Sequence, residues 1–435
     1  MRGKQIVFAF VLIVPVLALQ GFGLQGDLTL YGSAILDGGE YAKNSAEMTF
    51  TATERIGESM IRTEVDCFWS SVHGSQPDIL IREASWKHVF EVSESGLVRS
   101  LTLSAGMLRF TWGKSDELRV LDILNPQYLN FVLFDGIEER KLGRLAFGLE
   151  ASLGDCTALE AVVLPLAGRT VIENQAMMPK AMRDLYAAGR IWSGFEVRET
   201  WEARQSLDDL SLALRWRDQI FGVDYGFYWY HGYHNLPVFK WTNVDFSNPA
   251  DPLALILQEY RKTDMLGIDF EAALGSFVFR GEVALYVKGK TFQMGQTAAI
   301  ADAMGGGDGT RAKRYLQYVI GFDNRNFLVE KLYLNLQFSQ NRILEHDSVL
   351  QQDAVETIGT ARVEYGFDRD IVTLKLGFGW FVSRGWQGNP EVSFKIDDGV
   401  ALGIGAWLMQ FEATDPMYGS FDKMDFGYIT MSAKF

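Results

Sequence analysis

The chain has 435 residues, with 41 Lys and Arg against 55 Asp and Glu, for a formal charge of −14. That acidity argues against nucleic acid as a partner, and two cysteines in so long a chain make no disulfide framework. Mean hydropathy is −0.01 with 48% hydrophobic residues, and beyond the first twenty or so residues no apolar run is long enough for a spanning helix.

The first segment fixes the compartment. Arg2 and Lys4 precede an uncharged apolar run, Ile6 to Leu19, and then Gly21-Phe22-Gly23. A basic start, an apolar stretch and a small-x-small site are the layout of a cleaved secretory signal. The expectation is a signal peptide over 1–23, with cleavage near Gly23 or, alternatively, Gly26, and one domain over 24–435. Removing Arg2 and Lys4 takes the charge from −14 to −16. No Cys follows the apolar run, so a lipid anchor is not expected.

From about Asp27 onward the chain alternates apolar and polar residues in long segments. Leu210, Leu212, Leu214 and Trp216 alternate with Ser211, Ala213 and Arg215. The same pattern covers Leu266–Leu274, Phe277–Val287, Glu330–Gln340 and Ile371–Ser383. Successive side chains of a strand point to opposite faces, so each segment has an apolar wall and a polar wall. Runs of this length exceed the ~5–6 residues typical of soluble strands and match the ~9–11 that a tilted strand needs to cross a bilayer.

Tight turns are expected at 55–58, 93–96, 154–155, 218–219, 274–276, 323–326, 368–370 and 397–399. Longer links alternate with them at 37–45, 71–77, 111–142, 167–206, 233–262, 291–312, 341–353, 384–389 and 413–423. Eight turns and nine links join eighteen strands. The fold expected is all-β, a transmembrane antiparallel β-barrel of about eighteen strands, with sixteen as the alternative count. An even number places both termini on the short-turn, periplasmic side. Phe195–Trp201 alternates too, and is assigned to the 167–206 link as a short helix or hairpin. The neighbouring Ala176–Ala188 has helical composition.

The segment after the fifth strand carries the clearest functional signal. Trp112-Gly113 ends the strand, and Ser115-Asp116-Glu117 reads as a helix start with acids in its first turn. Leu118, Val120, Leu121, Ile123 and Leu124 are too apolar for a loop in water, and Asn125-Pro126 stops the turn. An inward-folded loop over 113–140 is expected, narrowing the lumen and presenting Arg109, Lys114, Asp116, Arg119 and Asp122 as a pore constriction. An exposed capping loop tied by ion pairs is the alternative. Arg215, Arg280, Glu282, Lys331 and Lys375 are expected on the lumen wall.

Trp112, Gly113, Ser115 and Asp116, followed by Asp122, Asn125 and Pro126, resemble a motif of porin-like outer-membrane proteins catalogued mainly as a domain of unknown function. Ser211–Trp216, Gly222–Tyr225, Tyr230–Tyr233 and Pro237 resemble the same group. The two matches cover about a sixth of the chain. The resemblance implies a barrel with a folded-in loop and leaves the substrate open.

Catalytic and metal sites are not expected. His231 and His234 are three apart where a strand gives way to a loop, a poor metal pair. His346-Asp347 is better read as a solvated loop than as a rim protease. His73 lies in a short loop, and Ala303–Gly309 lacks the Gly-Lys-Ser/Thr of a phosphate loop. No cofactor follows from any of these residues. The final strand, Asp425–Phe435, sets Gly427, Ile429, Met431, Ala433 and Phe435 against Tyr428, Thr430, Ser432 and Lys434. It resembles the terminal strand of outer-membrane barrels, in which a final Phe is part of the signal read by the insertion machinery. The function expected is a porin-like channel for passive diffusion of small polar solutes in a bacterial outer membrane. The alternative is an occluded structural or adhesive barrel acting through its extracellular loops. Outer-membrane lipid, the insertion machinery and small polar solutes are the expected partners.

Overall fold

In the computed structural model the chain is described over residues 24–35, 44–70, 78–129, 137–171, 179–191, 195–199, 209–245, 247–248, 252–367 and 370–435. The proposed signal segment and the 71–77 link with His73 lie outside these residues. The first strands are β1 (Leu24–Ile35), β2 (Asn44–Ile56), β3 (Ser59–Ser70), β4 (Asp78–Glu91), β5 (Val98–Leu108), β6 (Arg144–Leu153) and β7 (Thr157–Leu164). Next come β8 (Phe195–Glu199), β9 (Ser211–Ile220), β10 (Val223–Tyr233), β11 (Val238–Asp245), β12 (Leu253–Glu259), β13 (Lys262–Leu274) and β14 (Phe277–Gln293). The rest are β15 (Thr310–Asn324), β16 (Leu332–Ile343), β17 (Val355–Phe367), β18 (Val372–Phe381), β19 (Gly385–Asp397), β20 (Val400–Phe411) and β21 (Phe426–Lys434).

Eighteen of these strands form one antiparallel sheet, each paired with its neighbour in the chain once β8, β11 and β12 are set aside. Nine residue pairs from Asp27↔Lys434 to Ile35↔Phe426 join β1 to β21 and close the barrel. Closure leaves no unpaired backbone edge, which a spanning sheet requires. The alternation read in the sequence sets the two faces. Leu214, Leu266, Ile268, Leu374, Leu376, Ile429 and Met431 are exposed on the outside. Asp66, Asp269, Glu282, Asn335, Gln337 and Ser339 are buried on the inside. An apolar outer wall around a polar interior is the inverse of a soluble core and fits hydrocarbon outside.

Phe195–Glu199 is a strand, but not one of the barrel. It pairs in parallel with β12, which pairs antiparallel with β11, in a separate three-stranded sheet. The barrel count is therefore untouched. The helical composition nearby is realised as α2 (Lys180–Ile191), after a short α1 (Ile137–Arg140); α3 (Gln296–Met304) lies between β14 and β15.

Several boundaries differ from the sequence reading. Asp218 and Gln219 are inside β9, and the turn falls at Phe221-Gly222, both with positive φ (49° and 78°). That geometry matches the twist of a two-residue hairpin, and the Val223↔Ile220 pair carries the ladder three residues further than the polar pair suggested. Asp323 and Asn324 likewise stay in the ladder, paired with Val278 and Phe277. Most of 384–389 is strand, because β19 starts at Gly385. Lys331 is not on the wall. It sits in the turn before β16 with φ 66° and pairs with Asp370 at 3.3 Å. Cys67 lies towards the outer end of β3 and Cys156 in the turn before β7, and both are free thiols.

Candidate functional site: the segment that crosses to Glu282

Trp112 is fully buried, its ring centroid 5.1 Å from that of Tyr228 on β10. Gly113 follows with φ 87°, and a side chain here would meet the Glu282 carboxylate at 2.4 Å. The chain then turns around that carboxylate. Glu282 Oε1 accepts the N–H groups of Lys114 (2.8 Å) and Ser115 (2.7 Å), and Oε2 those of Val120 (2.9 Å) and Leu121 (3.1 Å). Glu282 is 1% exposed. Four N–H donors around one carboxylate satisfy the charge that burial would otherwise penalise.

Further contacts tie the segment to the strands beyond. Leu118 N–H donates to Gln337 on β16 at 2.8 Å, and Asp116 takes Arg280 at 3.1 Å and Asn335 at 3.0 Å. Glu117 pairs with Arg362 of β17 at 3.1 Å. Val120, Leu121 and Leu124 are buried against inward-facing groups of the wall, among them Tyr228, Met265 and Ala284. Each such side chain stabilises the packed segment by roughly 1.5–3 kcal/mol.

The base of the segment is held by amides and a closed charge cluster. Asn125 is 3% exposed. Its Oδ1 accepts Phe110 N–H at 2.7 Å, and its Nδ2 donates to the carbonyls of Leu108 (2.9 Å) and Leu142 (2.8 Å). Asn235 donates to the carbonyls of Ile123 (2.7 Å) and Asn125 (2.9 Å). Asp122 is paired with Lys141 and, at 3.1 Å, with Arg119, which also meets Glu138. Burial pushes the Asp122 carboxyl up, against the pull of Lys141 and Arg119.

The five proposed constriction residues therefore fall into two groups. Arg109, Lys114 and Asp116 keep side-chain exposures of 21%, 27% and 42%. Arg119 and Asp122, at 15% and 3%, are turned into the base and hold the segment rather than line a passage. On the wall, Arg215 pairs with Glu160 at 2.9 Å, Arg280 with Glu271 at 2.5 Å and Lys375 with Glu391 at 2.8 Å. Sequence reasoning missed Glu64, Glu83, Glu117 and Arg362. Glu64 takes both Arg62 (2.9 Å) and Arg109 (2.7 Å), and Arg62 also reaches Glu83 at 3.3 Å. Alternation alone could have placed Glu64 and Arg362, which share the inward parity of Asp66 and Glu364; Glu83 lies at a bulge in the β3–β4 ladder and Glu117 outside the strands.

His88, His231, His234 and His346 lie among the described residues. His346 Nε2 donates to the Gln352 carbonyl at 2.9 Å. Asp347 instead accepts the Val349 N–H at 3.2 Å, so the two form no dyad. His231 meets Asp264 on the outer face, while His234 stands 6.5 Å from Tyr286 on the inner side. Ser59 and His88 are cross-strand partners, Oγ to Nδ1 2.7 Å, and the His88 ring lies between Trp86 and Phe90. Among the described residues no acid orients that ring and no cluster of metal-ligating side chains forms.

Outside the strands, Asp302 near the end of α3 ties the outer link to the barrel. It takes Arg311 at 2.6 Å and the Gly309 N–H at 3.0 Å. The bond from Arg311 holds its carboxyl below the usual range. A folded value below the unfolded one, about 3.9 for Asp, contributes stability that is complete above that range. It is lost as pH falls through the folded value. Acidification from pH 7 to 2 should therefore loosen 302–311. Trp241, whose ring packs over Gly309, reports this as a fluorescence change missing in Trp241→Phe. Asp302→Asn should abolish the transition.

No family model matches the chain, and no curated protein sequence matches it. Among solved structures it is similar to Acinetobacter baumannii OccAB1, with a TM-score of 0.51, 11% identity and 95% of each chain covered. Pseudomonas aeruginosa OccD3 (OpdP) gives 0.49 and 10%, over 96% of this chain and 91% of that one. Salmonella typhi OmpF in complex with daunomycin gives 0.46 and 8%, over 95% and 97%. At such identity the likeness is one of fold, and the fold shared is the closed antiparallel barrel of outer-membrane porins.

Proposed function

We propose that this protein is a porin-like channel of a bacterial outer membrane, passing small polar solutes by passive diffusion. Residues 1–23 would be its cleaved export signal, 24–435 its single barrel domain and Phe435 part of its insertion signal. The observation that carries this reading is a closed eighteen-stranded wall, apolar outside and polar inside. A barrel of this size leaves an aqueous lumen unless a segment fills it. Segment 113–124 would set the constriction, with Arg109, Lys114 and Asp116 from the sequence reading joined by Glu117 and Arg362. The channel needs no catalytic group, since water and paired charges of both signs along the wall suffice to carry a polar solute across the apolar band.

The buried cluster around Trp112, Leu121 and Leu124, together with the outer sheet of β8, β11 and β12, favours one second reading. In that reading the lumen is occluded and the outer links act as a binding surface. Planar-bilayer recording of the refolded barrel separates the two. Discrete ohmic steps support the channel; silence from protein that shows the heat-modifiable gel shift of a folded barrel overturns it.

A further inference from the structure

Four adjacent strands end their outward apolar runs in the same way. On β13 the run from Leu274 to Leu266 gives way to Asp264 and Lys262, and on β14 Val287 is followed by Lys288. On β15 Leu316 leads to Arg314, and on β16 Phe338 leads through Gln340 to Arg342. The ladder keeps these residues together: His231 is paired with Asp264 and Leu316 with Arg342. Asp264 takes Lys288 at 2.8 Å, and Arg314 meets Glu345. Four bases (Lys262, Lys288, Arg314, Arg342) against two acids (Asp264, Glu345) leave +4 − 2 = +2 before His231 is counted. Lys288 is 74% exposed although it is paired.

This positive sector belongs to a chain of net charge −14. Towards the outer ends of other strands, described outward residues include the uncharged Ala46, Trp69, Ile79, Val163, Trp380 and Trp386. Just below the sector Trp229 stacks on His231 at 6.4 Å, and Tyr318 donates to Gln340 at 2.9 Å. Amphipathic rings of this kind mark the boundary between acyl chains and headgroups.

We propose that the outer ends of β13–β16 bind the phosphates of an anionic glycolipid of the lipid A type, packed against the apolar wall below. The proposal rests on the outer-membrane reading. Its chemistry follows from the bases: Arg314 and Arg342 offer forked donors suited to phosphate, and clustered bases at a headgroup surface attract anionic lipid.

The test is native mass spectrometry of the folded, detergent-released barrel. It is incubated with bisphosphorylated lipid A or with its dephosphorylated counterpart. The expected result is a preference of tenfold or more for the phosphorylated lipid. That preference should fall severalfold in Arg342→Ser and disappear in Lys288→Ser/Arg314→Ser/Arg342→Ser, each shown to be folded by its gel shift. Equal binding of the two lipids, or an undiminished preference in the triple variant, overturns the proposal. So does cross-linking of Arg314→Cys to a second copy of the chain, which would make the sector an oligomer interface. Conductance is recorded without lipid A, so failure here and failure of the channel reading are separate results.

Discussion

Replacing Glu282 with alanine should widen the channel severalfold while leaving the barrel closed. The carboxylate satisfies four backbone N–H groups that turn around it at 114–115 and 120–121. A buried donor left without a partner costs about 1–3 kcal/mol. Four such losses together exceed what burial of Val120 or Leu121 returns, roughly 1.5–3 kcal/mol for each side chain. The cheapest relief is for the segment to leave the wall and wet those donors in the lumen. Single-channel conductance in planar bilayers reads this directly. Glu282→Gln should fall between wild type and Glu282→Ala, because its amide keeps one accepting oxygen and turns an NH2 towards the other pair of donors. Gly113→Ala should resemble Glu282→Ala, since its Cβ would occupy the space of the carboxylate at a φ of 87°. Unchanged conductance in folded Glu282→Ala would show that segment 113–124 does not limit the pore.

The second large effect is expected at Asn125, in stability rather than conductance. Its side chain satisfies one N–H and two carbonyls that converge from the end of β5 and the approach to β6. Asn125→Ala should lower stability by on the order of 3–9 kcal/mol, summing about 1–3 kcal/mol for each of three orphaned groups. Asn125→Asp is nearly the same shape and discriminates more sharply. It keeps the acceptor for Phe110 N–H but sets an oxygen against the Leu108 and Leu142 carbonyls, so it should be at least as damaging as alanine. The measurement is the temperature or urea concentration at which the heat-modifiable folded band is lost. An Asp variant as stable as wild type would show that the recorded amide geometry contributes little.

Strands were legible in the sequence because period-2 alternation survives any loop between them: Leu266 to Leu274 declares its outer face whatever its partner. Turn positions were less so. Asp218-Gln219 looks like a turn, yet Phe221-Gly222 makes it, because pairing energy in the ladder outweighs local turn preference. The outer sheet was hidden for another reason. Phe195–Glu199 finds its partner in β12, on the far side of two barrel strands. The apolar residues of 118–124 announced that they need a wall. The wall's reply, Glu282, lies 168 residues from Lys114, and spacing cannot find such a pair. The same holds for Arg119 and Asp122. Their signs were readable, but the closing partner Lys141 was not, so pore and structural charges could not be told apart. The Trp-Gly-x-Ser-Asp segment now has a physical account at several of its positions: a buried ring, a positive φ, an N–H on Glu282 and a carboxylate on Arg280.

The seam between β1 and β21 also dictates an order of assembly. Gly26 and Phe435 exchange two backbone hydrogen bonds of 2.9 Å, so the earliest strand finds its second neighbour only when the last residues have arrived. Every other barrel pairing joins barrel strands that follow one another in chain order, whereas this pairing closes a loop of more than 390 residues, from Ile35 to Phe426, the costliest in entropy. Until it forms, β1 and β21 are bare edges able to recruit any other strand. Folding of this protein is therefore a race between ring closure and edge-to-edge aggregation, and the outcome is decided at the chain's two ends.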